Sequence, residues 1–151
     1  MKQLEWKIKA FSELTTKELY EIVKARFEVF VMDQQITCEN DFDDKDFNTH
    51  HIFLEEKGKV IAYARLLPKG LSYDEASIGR VLVLKEARRR GLAREMMLRS
   101  IEYITEVWGE SEITLSAQAY VVPLYESVGF KKISDVYDEA GIPHVKMHYK
   151  K

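Results

Sequence analysis

The segment that decides the fold is the turn KEARRRGLAR at residues 85–94, which follows the apolar run ASIGRVLVL at residues 76–84. Such a run is typical of a buried central strand. After the turn, apolar side chains recur at three- and four-residue spacing, as on one face of a helix: Ala93, Met97, Ile101, Ile104 and Trp108. Gly109 supplies a stop. The turn therefore connects a central strand to a long helix, predicted over residues 92–108.

The charge of this turn is unusual for a helix start. The first N–H groups of a helix point outward at the positive end of the helix dipole, so acidic and hydroxyl side chains are favoured there. Here the start carries four arginines instead: Arg88, Arg89, Arg90 and Arg94. Because Gly91 and the small Ala93 permit close approach of a ligand, the turn is a candidate phosphate cradle. A solvated basic turn is the alternative, and neither a GxxxxGK[ST] nor a GxGxxG motif is present.

Patterns elsewhere in the chain complete a β-α-β-β-β-α-β-α-β-β order. Strands are predicted at 4–10, 51–54, 60–67, 76–84, 113–117, 130–137 and 145–149; helices are predicted at 16–30, 92–108 and 124–128. Thr15 and Glu18 have the spacing of a capping box, and Gly58 suits a hairpin turn. Hairpins mixed with helix crossovers predict one α/β domain over 1–151. Its twisted central sheet should be mixed, with about six to seven strands flanked by helices.

Composition narrows the class of protein. The chain has 151 residues, one cysteine, and 23 basic against 25 acidic residues. This balance disfavours nucleic acid as a partner, and one cysteine excludes an internal disulfide framework. The N-terminus has no continuous apolar run, and no segment approaches the ~20 apolar residues of a membrane span. We therefore expect a soluble, cytoplasmic protein with no membrane partner.

Two motifs, RRRGLA at residues 88–93 and LYESVGF at residues 124–130, together resemble the GNAT superfamily of acyl-CoA-dependent N-acyltransferases. The family's pyrophosphate loop reads Arg/Gln-x-x-Gly-x-Gly/Ala between a central strand and a long helix, and Arg88, Gly91 and Ala93 fit it. Its second element ends a short helix in Leu-Tyr-x-x-x-Gly-Phe, matched by residues 124–130, LYESVGF. The chain further resembles the ElaA-type branch at EVFV (28–31), THH (49–51), GRV (79–81), AQA (117–119) and GIPH (141–144).

The resemblance implies a function and a site. It implies direct transfer of an acetyl group from acetyl-CoA to a primary amine of a small molecule or peptide, within a ternary complex and on a monomer or homodimer. Acetyl-CoA would splay the sheet, with its pyrophosphate on Arg88, Arg89, Arg90, Gly91, Leu92, Ala93 and Arg94 and its pantetheine along the main chain of Val81, Leu82 and Val83. Gln118 would bind the pantetheine, and Tyr125 would donate a proton to the departing thiolate. The alternative is a non-catalytic acyl-CoA-binding regulatory module on the same fold.

The general base is left open by the sequence. Many GNAT members carry a glutamate just before the pantetheine-pairing segment, where this chain has Gly79 and Arg80. A water relay or one of His50 and His51 could serve instead, since histidine titrates near neutrality; a packed or solvent-facing histidine is the alternative for each. The acidic loop, residues 39–46, could attract a cationic amine or could simply be solvated.

Metal chemistry is not expected. His144 and His148 have HxxxH spacing, but on a strand they would lie roughly 13 Å apart, too far to share an ion. Cys38 has no CxxC partner and is predicted to be an ordinary thiol.

Overall fold

The computed structural model describes residues 4–151, which form eight strands and three α-helices. The strands are β1 (Trp6–Ala10), β2 (His50–Glu56), β3 (Lys59–Leu67), β4 (Ser77–Val83), β5 (Glu112–Gln118), β6 (Lys131–Lys132), β7 (Tyr137–Glu139) and β8 (Ile142–Lys150). The helices are α1 (Thr16–Arg26), α2 (Leu92–Glu102) and α3 (Val122–Ser127). Two π-helical segments, Phe27–Asp33 and Tyr103–Val107, continue α1 and α2.

The strands form two sheets that are joined at a single bridge. One sheet has the order β1-β2-β3-β4, and the other has the order β5-β8-β6 with β7 also paired to β8. Every strand pair is antiparallel; the sheets are joined by a parallel bridge between Ala76 and Ile113. The mixed α/β architecture is confirmed, although the parallel part is a single bridge and the described strands number eight rather than six or seven.

The first helix begins and continues as its sequence predicts. The Thr15 hydroxyl accepts a hydrogen bond from the Glu18 amide at 3.0 Å, and the Glu18 carboxylate accepts one from the Thr15 amide at 2.8 Å. The capping box is thus confirmed. The helical path runs on through the π-helical segment to Asp33, so the prediction of a helix through Phe30 is confirmed as well.

The hairpin and the long helix also follow their sequence signals. Lys57 and Gly58 both have positive φ, 54° and 77°, as a two-residue turn between twisted strands requires. The helix from Leu92 passes through its π-helical segment and stops before Gly109, whose φ is 72°. Inside, Met96 and Met97 of α2 are completely buried in a core shared with Ile22 of α1.

The prediction of a continuous strand over 130–137 is wrong. Only Lys131–Lys132 and then Tyr137–Glu139 pair with β8. Between them the Ser134 hydroxyl, rather than a backbone carbonyl, accepts the amide hydrogen of Lys146 at 2.9 Å. A serine side chain that competes for a backbone donor interrupts the ladder.

Candidate active site

The two sheets separate beyond their bridge and leave a cleft between β4 and β5. The Thr114 amide donates to the Ala76 carbonyl at 2.9 Å, and no pairing of β4 with β5 follows along Ser77–Val83. A cavity of about 730 Å³ fills this opening. It is lined along β4 from Ser77 to Val83, and by Tyr125 of α3. The strand edge of β4 that faces β5 is therefore free to pair with an extended ligand.

A β-bulge in β4 faces this cavity. Gly79 pairs with Arg65 of β3 and Leu82 pairs with Tyr63, so β4 has one more residue than β3 between these pairs. Arg80 and Val81 have no partner on β3, and Arg80 has a φ of 51°. A bulge leaves main-chain groups outside the ladder and redirects them. The bulge thus presents backbone of the 79–82 segment to the cleft.

The arginine turn forms an uncapped helix start. Gly91 is the N-cap of α2 with a φ of 72°, and no side chain caps the first N–H groups. Arg88 and Ala93 line the cavity. The Arg88 guanidinium donates to the Val83 carbonyl at 3.3 Å. Free N–H groups beside a guanidinium favour anions, so the turn remains a candidate anion-binding site.

The remaining predicted cradle residues do not all face the cavity. Arg90 forms a two-pronged ion pair with Glu56, with distances of 2.7 and 3.1 Å. Arg89 and Arg94 are exposed, and Leu92 is buried in the core. Arg88 is therefore the arginine of the turn that lines the cleft.

Tyr125 lines the cleft with a largely buried side chain. Its ring packs edge-on against Phe130, with 6.0 Å between centroids. Burial, with a smaller contribution from Tyr120, raises the pKa of the Tyr125 hydroxyl well above its usual range. The hydroxyl has no hydrogen-bond partner among residues 4–151. The Tyr125 side chain therefore lies at the wall of the cavity, and its hydroxyl stays protonated at neutral pH.

Gln118 also lines the cleft, but its side-chain amide is engaged. It donates to the Gln34 side-chain oxygen at 2.9 Å, and Gln34 donates back at 3.4 Å. Gln34 follows the π-helical segment after α1 and lines the same cavity. Sequence reasoning missed Gln34, because nothing in the local sequence links positions 34 and 118.

Most charge in the acidic loop is compensated by arginines of the core. The pairs, each with a shortest distance of 2.6–2.8 Å, are Arg26 with Asp41 and Asp46, Arg65 with Asp43, and Arg80 with Asp41. Burial alone would raise the pKa of Asp43, but hydrogen bonding and charge attraction from Arg65 hold it well below its usual range. These aspartates anchor the loop beside the bulge. Glu39, which lines the cavity, has no ion-pair partner among residues 4–151.

The two histidines considered as bases are not brought to the cleft. His51 is buried: its Nε2 lies 3.1 Å from the Asp46 carbonyl, and its Nδ1 lies 2.6 Å from the Tyr63 hydroxyl. A carbonyl only accepts, so Nε2 donates and Nδ1 accepts from Tyr63. Burial lowers the pKa of His51 below its usual value. His50 packs against the rings of Tyr103 and Trp108. Neither lines the cavity.

A different histidine does line the cavity. His144 of β8 has its Nε2 3.3 Å from the Glu139 carboxylate, which belongs to β7. Glu139 also lines the cavity, as does Ser116 of β5. The HxxxH spacing of His144 and His148 on one strand is unsuitable for a shared metal ion. The signal that could have found His144 is the alternation of β8, which places every second side chain on one face.

Clusters of metal ligands and membrane-spanning helices are both absent from residues 4–151. No group of three or more histidine, cysteine or acidic side chains is arranged to hold a metal ion in this range. No helix in the same range is long and apolar enough to cross a membrane. Cys38 is exposed and forms no disulfide.

Comparison with known proteins identifies the family. A family model described as an acetyltransferase (GNAT) domain matches residues 11–151. The chain belongs to the GNAT acetyltransferase family. It is 42% identical over 149 residues to a UPF0039 protein of Schizosaccharomyces pombe, with 97% of each chain covered.

Solved structures of related proteins support the same family assignment. An acyl-CoA N-acyltransferase from Pseudomonas aeruginosa superposes with a TM-score of 0.89 at 35% identity, covering 97% of this chain and 99% of the other. Escherichia coli ElaA superposes with a TM-score of 0.88 at 33% identity, with the same coverage. The ElaA-type resemblance is confirmed, and this chain is an acyltransferase of the GNAT family.

Proposed function

We propose that this GNAT enzyme transfers an acetyl group from acetyl-CoA directly to a primary amine. The observation that carries the proposal is the distribution of uncompensated charge along the cleft. Arg88 lines the cleft where β4 ends, and its hydrogen-bond acceptor is a neutral carbonyl, so its charge is not compensated. Glu39 and Glu139 line it from the acidic loop and from the β7–β8 hairpin. An anionic cofactor and a cationic acceptor match these two charges.

The N-terminus of α2 supports binding of the cofactor's pyrophosphate. The uncapped N–H groups after Gly91 and the Arg88 guanidinium would donate to phosphate oxygens. The free edge of β4 at Val81–Val83 would pair with the pantetheine amides through main-chain groups. Gln118 would contribute only if it exchanged its bond with Gln34 for one to the pantetheine.

The bulge supports stabilisation of the reacting carbonyl. As the amine attacks the thioester carbon, negative charge develops on the oxygen and must meet fixed donors. The main chain around Arg80 and Val81, freed from the β3 ladder, supplies candidate N–H groups. Because these donors belong to a sheet, they need little rearrangement during the reaction.

Tyr125 would act as the general acid. The departing thiolate needs a proton, and the Tyr125 hydroxyl is protonated at neutral pH, with a pKa that burial raises further. After the C–N bond forms and the C–S bond breaks, the proton released by the new amide nitrogen would replace the one that Tyr125 gave.

A thiol-release assay tests the proposal directly. Acetyl-CoA is offered with a panel of primary amines that includes polyamines, arylalkylamines and peptides, next to neutral and anionic nucleophiles. Turnover with cationic amines is the expected result. Binding of CoA without turnover across the panel would favour the regulatory module. Displacement of CoA by ATP would instead point to a general nucleotide-phosphate site.

A further inference from the structure

We infer that His144 is the proton acceptor for the acceptor amine and that Glu139 positions it; this inference rests on the proposed function. An amine acceptor is protonated at neutral pH, with a free-amine pKa of about 10.4 for a lysine-type group. It cannot attack a thioester until one N–H bond is broken. The enzyme therefore needs a base at the cleft, and the central strand offers Gly79 and Arg80 in place of a glutamate.

The tautomer of His144 is fixed by its own strand. Its Nδ1 lies 2.7 Å from the Ile142 carbonyl, which can only accept, so Nδ1 carries the hydrogen. In the neutral ring the lone pair is then on Nε2. The side chain is only 8% exposed, so this orientation is held by packing.

The lone pair and a carboxylate face each other at the cavity wall. His144 Nε2 lies 3.3 Å from Glu139 Oε2, and both residues line the cavity. Two acceptors at this distance repel unless a proton donor lies between them or the ring is protonated. An ammonium satisfies both: it would pair with the carboxylate and donate to Nε2. The pair is thus suited to receive a protonated amine and to take its proton.

Neighbouring residues hold the His144–Glu139 pair in place, and one of them, Lys146, carries a positive charge. The Tyr137 ring stacks on the imidazole, and the Ser116 hydroxyl bonds both Tyr137 and Glu139. Lys146 lies on the same face of β8, where its ammonium covers the Tyr73 ring.

His50 and His51 differ from His144 in the partners of their ring nitrogens and in their distance from the cavity. His51 has both ring nitrogens engaged by the Asp46 carbonyl and the Tyr63 hydroxyl, and His50 is packed against aromatic rings away from the cavity. His144 has one nitrogen bound to the main chain and the other directed at a partly exposed carboxylate of the cleft.

Every proton in the transfer from the amine to His144 is accounted for. The ammonium N–H bond breaks and its electron pair stays on nitrogen, while the proton goes to His144 Nε2 and is stabilised by Glu139. The neutral amine then attacks the acetyl carbon. His144 returns its proton to solvent after the products form, so one proton is released per amide made.

The test compares His144→Gln with His148→Gln. His148 lies on the same strand and pairs with a carboxylate, Glu112 at 3.0 Å, but it does not line the cavity. We expect His144→Gln to lower kcat/KM at neutral pH by about 10²-fold or more. It should also abolish the ascending limb of the pH–rate profile. His148→Gln should leave both unchanged.

Two further measurements separate a base from a structural contact. An acceptor whose amine is already neutral at pH 7 should restore much of the activity of His144→Gln. Glu139→Gln should move the ascending limb to lower pH, because the imidazolium loses its carboxylate. If the wild type is active but both variants keep its pH profile, the inference is overturned and the proposed function stands. If no amine is turned over by the wild type, both fall.

Discussion

The Arg80 guanidinium lies 2.7 Å from the Asp41 carboxylate and so ties the bulge of β4 to the acidic loop. Asp41 also accepts from Arg26, whose side chain is 1% exposed. One carboxylate thus fixes a residue of the cleft to α1. The shape of the site depends on this ion-pair network as well as on the sheet.

Asp41→Asn should therefore destabilise the protein. The change removes the negative charge that faces Arg26 and Arg80, and Arg26 is fully buried. Breaking a buried ion pair costs about 3 kcal/mol of unfolding free energy. Denaturant unfolding measures this. Asp44→Asn is the matched control, because Asp44 is exposed in the same loop and its side chain forms no ion pair among residues 4–151. Equal stability of the two variants would contradict a supporting role for Asp41.

Tyr125→Phe should lower kcat by about 10²-fold with little change in CoA affinity, because the ring remains and only the proton donor is lost. Steady-state kinetics and calorimetry give the two quantities. Tyr149→Phe is the control: its ring packs on Phe130 as that of Tyr125 does, and it does not line the cavity. An unchanged kcat in Tyr125→Phe would remove it from the mechanism.

Gly91→Ala should weaken binding of CoA by about tenfold, which is about 1.4 kcal/mol. A residue with a side chain resists a φ of 72°, so the first turn of α2 shifts. Gly109 also has a φ of 72°, and a methyl group there meets open space as it does at Gly91. Both variants should lose similar stability in thermal unfolding. Only Gly91→Ala should lose affinity, and an equal loss of affinity in both would refute the cradle.

Arg88→Gln should reduce CoA affinity roughly tenfold to a hundredfold, with a weaker dependence on salt, because a charge-assisted hydrogen bond is lost. Arg90→Gln should have little effect, since Arg90 is paired with Glu56. Charge reversal at the exposed Arg89 or Arg94 should have an intermediate effect through long-range attraction. Titration calorimetry distinguishes these cases, and a larger effect at Arg90 than at Arg88 would place the anion elsewhere.

Glu18 predicts a pH dependence of stability. Burial alone would raise the pKa of Glu18, but hydrogen bonds involving Thr15, Lys9 and Lys7 outweigh it and lower the pKa to about 2. Since the folded value lies below the unfolded value of about 4.3, the stabilisation is complete above that pH and disappears as the pH falls to about 2.

Glu18→Gln should therefore reduce stability by about 2 kcal/mol at pH 7 and by almost nothing at pH 2. Unfolding curves at several pH values measure the difference. Glu102→Gln, at an exposed helical position, should show no such trend. A deficit in Glu18→Gln that persists unchanged at pH 2 would contradict this explanation.

Local sequence predicted the features that depend on near neighbours. The capping box of Thr15 and Glu18, the positive φ at Gly58 and the uncapped start of α2 all follow from residue types a few positions apart. Family motifs also predicted the splayed cleft and the presence of Tyr125 beside it. The prediction of one strand over 130–137 failed because a distant partner, Lys146, takes the hydroxyl of Ser134.

The sequence by itself determined the family, the order of most elements and the arginine-rich turn before α2, because these reside in contiguous motifs and in the periodicity of apolar side chains. Only the tertiary structure decided which charges remain uncompensated and which histidine reaches the cleft. Asp41 is 39 residues from Arg80, and Gln34 is 84 residues from Gln118. The packing of sheets and loops brings such pairs together, and the local spacing of residues in the sequence does not predict them.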